Sequence, residues 1–335
     1  MNGPTPERIF GTLIAYQTSA ALSAAIQLRL FTHVAGGADS LAKLARATGA
    51  PERGVRALAN HLVAHAFLEK DGERYRCTRE AALFLDERSP AYLGSIAGFF
   101  SHPGLVRHFA DVAEAVKRGG TTERAGGTTA AENPLWVEFA RAMTPTARLW
   151  APHLADAVAR AGAPRRVLDV AAGHGLYGIE VAKRSKTTEV VFQDWSNVLA
   201  VAREHAEQAG IAAQARYLAG SAFDVPFRSG FDVVLVTNFL HHFPREECVP
   251  FLAKCRAALG PGGRVAVLEF VLEEDRVTPP SSGAFDLVML VTTPHGEAYT
   301  VGEYGKMFAD AGLAPPERHD LPDGSHTVLL AGAAR

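Results

Sequence analysis

The sequence has little that would staple a chain or anchor it. Its three cysteines, Cys77, Cys248 and Cys255, lack the paired spacing of a zinc site. So few thiols in 335 residues speak against a disulfide framework and fit a reducing, cytoplasmic compartment. Neither sign of charge prevails. Against 36 acids stand 34 Lys and Arg, and a net charge of −2 gives no electrostatic reason to bind nucleic acid or a membrane surface. Met1–Arg8 is polar, carries two prolines and has no signal-peptide pattern. Long apolar runs are missing too. The nearest, Ile9–Leu30, is interrupted by Tyr16, Gln17, Gln27 and Arg29 and reads as a buried or interface helix rather than a membrane span. No internal repeat is apparent. What the chain does have is a hydrophobic content of 47%, ample for a packed core, and a length that suits two domains or one large domain with an appendage.

The most informative stretch is Arg165–Gly178. Val167–Val170 is an apolar run with one acid, Asp169, and it gives way to Gly173 and Gly175 and then to helical spacing from Leu176 to Lys183. Strand, glycine turn and helix in that order open the nucleotide-cradling half of a doubly wound parallel sheet. Gly173-x-Gly175-x-x-Gly178 also satisfies the dinucleotide fingerprint. An acid inside the strand, four residues before Gly173, could orient the turn and meet a cationic amino group. S-adenosylmethionine (SAM) carries such a group and NAD does not, so SAM is preferred and a dinucleotide stays open.

Before this stretch, Pro6–Phe31 reads as one long helix, apolar nearly all round, whose burial points to a partner chain, with packing on its own domain the alternative. Ser40, as a helix cap, opens Ser40–Phe84: two helices, then a hairpin about Asp71-Gly72. That is a winged-helix pattern. Mixed charges on its second helix (Glu52, Arg53, Arg56) point to a structural or dimerising wing rather than to DNA. His61 and His65 sit four apart, but no acid or cysteine is placed to complete a metal site. Arg88–Gly120 reads as helical, Gly119–Thr129 as a Gly/Thr-rich loop, and Pro134–Met143 as a helix presenting Trp136, Phe139 and Met143, either as plain core or as one wall of an aromatic pocket.

After Arg165, strands and helices alternate. Strands are expected at Glu189–Gln193, Arg216–Ala219, Phe231–Val236, Arg264–Phe270 and His326–Ala331. Asp194 follows Gly175 by 19 residues, the spacing at which an acid accepts from ribose hydroxyls. Ligands of such sheets bind beyond the carboxyl ends of strands at the switch point, so Gly173 and the His241-His242 pair should share one crevice. A histidine there is suited to remove a proton.

On these residues the chain resembles the SAM-dependent O-methyltransferases of the caffeate/acetylserotonin type over nearly its full length. Leu168-Asp169-Val170-Ala171-Ala172-Gly173-His174-Gly175 is similar to that family's glycine motif, Asp194-Trp195 to its ribose acid and adenine neighbour, and Gly220-Ser221-Ala222-Phe223 to its adenine loop. Leu240-His241-His242-Phe243 falls on its Leu-His-Asp-Trp, and Phe139–Met143 and Phe285–Leu290 on its bridging and acceptor-pocket helices.

The resemblance implies a class I methyltransferase fold: a doubly wound, mostly parallel α/β sheet behind a mainly helical winged-helix dimerisation domain. The expected divisions are 1–95 for dimerisation, 96–155 for bridging helices and 156–335 for SAM binding. It implies SAM as cofactor at Gly173, Asp194, Trp195, Ser221, Ala222, Phe223 and Asn238, and no metal. A small aromatic acceptor would lie by Trp136, Phe139, Met143, His242, Asp286 and Met289, and the chain would pair as a homodimer. Methyl would pass to a hydroxyl by in-line displacement, with His241 as general base. Two glutamates brace that histidine in the family. The matching positions fall near Ala298, with Glu297 one place off, and near Ala331, so the brace is expected to be absent or supplied from elsewhere, with Asp286 a candidate. The alternatives are a C- or N-methyltransferase, an NAD-dependent oxidoreductase and a winged-helix regulator.

Overall fold

The structure, a computed structural model, describes residues 4–123, 135–160 and 162–334; the Gly/Thr-rich stretch beyond Glu123 and the first residue of the expected helix at Pro134 lie outside them. Chain contacts divide the protein into two units, Met1–Pro103 and Gly104–Arg335.

The first unit runs α1 (Glu7–Gln27), α2 (Leu30–Ala35), α3 (Leu41–Thr48), α4 (Glu52–Ala64), β1 (Leu68–Asp71), β2 (Arg74–Cys77), α5 (Arg79–Phe84) and α6 (Ser95–Phe100). The two strands form the antiparallel hairpin expected about Asp71-Gly72. The single helix expected over Pro6–Phe31 is instead two. Arg29 takes a left-handed φ of +52°, and the chain turns there so that Leu30 and Phe31 enter the core with Leu44, Leu62 and Tyr75. Arg29 is held in the turn by its Nε, which donates to Glu87 Oε2 at 2.6 Å. Most of α1 is not buried in the single chain: Ile9, Phe10, Leu13, Ile14 and Tyr16 are each more than half exposed. By length and composition alone α1 is also apolar enough to cross a membrane. Ser40 holds the cap position of α3 in extended backbone, but its side chain makes no capping bond.

The expected helix over Arg88–Gly120 is broken into α6, α7 (Pro103–His108), a 3-10 turn at Phe109–Asp111 and α8 (Val112–Arg118). Pro103 lacks an N–H and starts a new helix rather than continuing one. The second unit then has α9 (Leu135–Ala142), α10 (Thr144–Ala159), β3 (Arg166–Val170), α11 (Leu176–Lys183), β4 (Glu189–Asp194), α12 (Ser196–Gln208), β5 (Ala215–Ala219), β6 (Phe231–Thr237), α13 (Arg245–Ala257), β7 (Leu259–Glu269), α14 (Pro280–Thr292), α15 (Val301–Asp310), β8 (Glu317–Asp320) and β9 (Thr327–Gly332). Strand order is β5-β4-β3-β6-β7-β9-β8, parallel except for β9, which pairs antiparallel with both neighbours.

Alternate residues of the central strands feed two cores. Val167 and Phe192 pack with Leu154, Ile179 and Leu199 on one face, and Leu168 and Val170 with Phe251, Leu252 and Phe308 on the other. Helix α10, expected to bridge two domains, contributes Ala147, Ala151, Leu154 and Val158 to the first of these cores and belongs to the sheet unit. The chain leaves β3 towards β4 and β5 on one side and later passes to β6 and β7 on the other. The switch point therefore lies between β3 and β6.

Candidate active site

The cleft at this switch point is built from the loops at the carboxyl ends of β3, β4, β5 and β6. After β3 the backbone turns through three left-handed residues, Ala171 (φ +50°), Gly173 (φ +55°) and Gly175 (φ +73°). The glycines fit that conformation, and Gly173 also leaves bare backbone facing the cleft: the nearest atom to a Cβ built there is Ala171 O, at 4.0 Å. Gly178 serves packing instead. A Cβ there would lie 2.7 Å from Asp169 Oδ2 and 2.8 Å from Phe192.

Two side chains at the end of β4 latch the loops on either side. Asp194 accepts from Gly173 N at 2.8 Å through Oδ2 and from Trp195 N at 2.7 Å through Oδ1. Gln193 accepts from Ala171 N at 3.3 Å and donates to Gly220 O at 2.6 Å. Asp194 still has free lone pairs on the cleft side, and burial pushes its pKa up to about 6. Asp169 does not reach the cleft. Fully buried, it takes Gly178 N–H at 3.0 Å and orients the turn.

The cavity has a volume of about 350 Å³. Backbone and Asp194 line one end, and the aromatics Trp136, Phe139, Tyr177, Trp195, Phe223, Phe239 and Phe243 line much of the rest. Of the expected site residues, Gly173, Asp194, Trp195, Ser221, Ala222, Phe223, Asn238, Trp136, Phe139 and His242 all line it. Met143, Asp286 and Met289 do not. The Asp286 carboxylate is taken by Ala298 N at 2.7 Å, Met289 is buried in its helix, and Met143 sits at the junction of α9 and α10. Asn238 has a left-handed φ of +51°; its amide donates to Tyr177 Oη at 3.4 Å and accepts from His326 Nε2 at 3.0 Å. Sequence reasoning missed Gln193, Tyr177 and His326. Gln193 immediately precedes the acid at the end of β4, which was a readable signal.

His241 does not line the cavity; it is 3% exposed and lies outside the wall that His242 forms. Of the two alternatives for the brace, absent or supplied from elsewhere, the structure shows the second, though not from Asp286. Glu269, the last residue of β7, meets His241 Nδ1 at 2.5 Å through Oε2, while its Oε1 accepts from Phe239 N at 2.9 Å and Leu240 N at 2.8 Å. A carboxylate taking two backbone N–H groups is held in its acceptor form, so His241 Nδ1 carries the proton and Nε2 is left as the base. Asp286 plays no part in this brace. The signal for Glu269 was an acid ending a buried apolar strand beside the histidine strand. Among the described residues no cluster of His, Cys, Asp or Glu could hold a metal, and His61 and His65 both face the Thr18 hydroxyl, at 3.4 and 3.1 Å.

An O-methyltransferase domain matches residues 109–314 and an O-methyltransferase dimerisation domain residues 11–87. The chain is 29% identical to the 3-hydroxy-5-methyl-1-naphthoate 3-O-methyltransferase of Streptomyces sahachiroi over 88% of its length and 85% of that protein's. A crystal structure of a protein from Nostoc punctiforme, assigned to the O-methyltransferases, superposes with a TM-score of 0.95 at 42% identity, covering 98% of this chain and 99% of that one. Human N-acetylserotonin methyltransferase in complex with SAM has the same fold, with a TM-score of 0.87 at 20% identity over 100% of this chain and 99% of that one. The glycine turn, the acid that ends β4 and the histidine after β6 thus sit in a known enzyme architecture, and the chain belongs to the SAM-dependent O-methyltransferases, with a dimerisation domain over residues 11–87.

Proposed function

We propose that the chain methylates a hydroxyl of a small, planar aromatic acceptor, with Trp136, Phe139 and His242 facing the acceptor. Gly173, Asp194, Trp195, Ser221, Ala222, Phe223 and Asn238 would hold SAM. Asp194 offers buried acceptors for ribose hydroxyls, Trp195 and Phe223 offer faces for the adenine, and the bare backbone at Gly173 allows close approach. When bound, SAM supplies a methyl already activated by the sulfonium charge. The protein has to orient the acceptor oxygen, exclude water and accept its proton. Orientation alone can supply roughly 7–11 kcal/mol, and a general base about 10²–10⁴-fold in rate.

The observation that carries this reading is the 2.5 Å contact of His241 Nδ1 with Glu269, which prepares a basic nitrogen next to an aromatic-lined cleft. The hydroxynaphthoate named for the Streptomyces relative supports a fused-ring phenol as acceptor. The exposed apolar row of α1, which runs into the dimerisation domain, favours a second copy of the chain over a membrane as its partner. Three unpaired thiols, two of them buried, favour a reducing compartment such as the cytoplasm, and the near-neutral charge gives no reason to expect nucleic acid.

Purified protein incubated with SAM and a panel of hydroxynaphthoates and catechols, read by mass and by the position of the new methyl, tests the reading. Methyl on oxygen is the expected outcome. Methyl on carbon or nitrogen, or none with any phenol, overturns it.

A further inference from the structure

A second hollow, of about 330 Å³, lies between α10, α11 and α12 and shares no lining residue with the cleft. Arg148 and Ala151 are three apart on α10, and Leu176, Ile179, Glu180 and Lys183 recur at threes and fours on α11, so each helix turns one face to it. The apolar part of the lining is Ala151 and Ile179, both buried, with Leu176 and Ala209 half-buried. Two of these four are alanines, which leaves space that larger side chains would fill. The polar part adds His205 and Gln208, from α12, to Arg148, Glu180 and Lys183. Lys183 is already matched by the Glu180 carboxylate, 3.2 Å away. Arg148 is exposed and makes no ion pair or hydrogen bond among the described residues.

Two residues around this hollow also hold the glycine turn. Leu176 N–H donates to His174 Nδ1 at 3.1 Å, and His205 Nδ1 donates to His174 O at 2.8 Å. His174 stands between Gly173 and Gly175 and lines the cleft. Burial holds its ring neutral, which keeps Nδ1 bare for Leu176. We propose that the hollow binds a small organic carboxylate, its anionic end on Arg148 and its apolar body on Ala151, Leu176 and Ile179, and that filling it tightens the hold on SAM.

Charge selects the ligand's sign. Arg148 and Lys183 outnumber Glu180, so a cation is repelled, a neutral molecule leaves Arg148 unmatched, and an anion pairs with it. An ion pair at an exposed site contributes little by itself, so apolar contact has to supply most of the affinity. That argues against inorganic phosphate and for a carboxylate on a compact apolar body. The volume is at the low end for small-molecule sites, which suits a single ring. A molecule seated on Leu176 and Ile179 rests on the first turn of α11 and lies beside His205. It restrains both residues that hold His174, and so lowers the cost of ordering the turn around SAM. By linkage, SAM tightens the carboxylate by the same factor.

Equilibrium dialysis of the full chain with labelled benzoate, S-adenosylhomocysteine filling the cleft, tests the site. Benzoate should bind with a Kd of about 1 mM or tighter. Benzamide, the same shape without the charge, should bind several-fold more weakly, and Arg148→Gln should erase that difference. Ala209→Leu fills the hollow and should abolish binding of both. Neither residue lines the cleft, so without benzoate both variants should methylate at the wild-type rate. Saturating benzoate should lower the Kd of SAM by about fivefold or more in the wild type, but not in Ala209→Leu or His205→Leu. No binding, or binding that survives both Arg148→Gln and Ala209→Leu, overturns the site. Displacement of benzoate by an equal concentration of inorganic phosphate overturns the ligand class. A Kd for SAM that benzoate leaves unchanged overturns the link to the glycine turn.

Discussion

Asp169 shows how one buried acid shapes both the turn and the pH response. Its Oδ2 holds Gly178 N–H, its Oδ1 has no partner among the described residues, and burial raises its pKa to about 8. A folded-state pKa above the unfolded value means that the native chain binds the proton more tightly. The associated stability is whole below the ordinary carboxylate range near 4 and drains away as pH rises towards about 8. His174 and His326 run the other way: burial lowers both to about 3, so they cost stability only as pH falls below their ordinary value near 6.5. Between about pH 6.5 and 8 the histidines are silent and the acid is not. Asp169→Asn keeps an oxygen for Gly178 N–H and cannot ionise. Its melting temperature, followed calorimetrically over that window, should fall less steeply with pH than that of the wild type. Equal slopes would show that this carboxyl is not the source.

At the level of elements, the strands around the switch point were legible because their apolar runs end in chemistry-bearing residues: Asp169 with Gly173, Gln193 with Asp194, and Thr237 with Asn238. β8 was not legible, because Glu317–Asp320 is charged throughout and lies at the sheet edge, where no periodic burial is imposed. The break between α1 and α2 was hidden for a related reason. An arginine in left-handed backbone leaves no local mark, and only the burial of Leu30 and Phe31 explains it. The brace on His241 was missed because pairing across β6 and β7 brings together residues 28 apart, which spacing along the chain does not reveal.

Pairing of elements also positions the loop after β5. From α13, Lys254 Nζ donates to Ala222 O at 2.9 Å and Phe223 O at 2.7 Å and lies 4.4 Å from the Phe227 ring centroid. That cation holds two carbonyls of a cleft-lining loop outside the cavity itself. Lys254→Met keeps the stem and loses the donor. Hydrogen bonds to a charged group are worth about 1.5–3 kcal/mol, and a half-exposed one less, so KM for SAM should rise about tenfold with kcat little changed. A drop in kcat at unchanged KM would place Lys254 in the chemistry rather than in the loop's support.

Across the whole molecule, the two units should answer to different ligands. Every described residue lining the cleft lies within Gly104–Arg335, whereas the exposed row Ile9, Phe10, Leu13, Ile14 and Tyr16 lies within Met1–Pro103. A ligand bound only by the native state stabilises it by about 2.7 kcal/mol at a hundred times its Kd. For a unit of this size that corresponds to roughly 5–10 °C in melting temperature. SAM should therefore raise the transition of the sheet unit by that amount. The transition of the helical unit should instead rise with protein concentration, because association through α1 is a second-order equilibrium. Leu13→Glu puts a charge into the exposed apolar row at a site 67% exposed in the single chain, so it costs the isolated fold little. The variant should sediment as a monomer and lose the concentration dependence, yet keep the full shift with SAM. If the cofactor shift vanishes along with the dimer, the cleft is completed by the partner copy and the two units do not divide the work in this way.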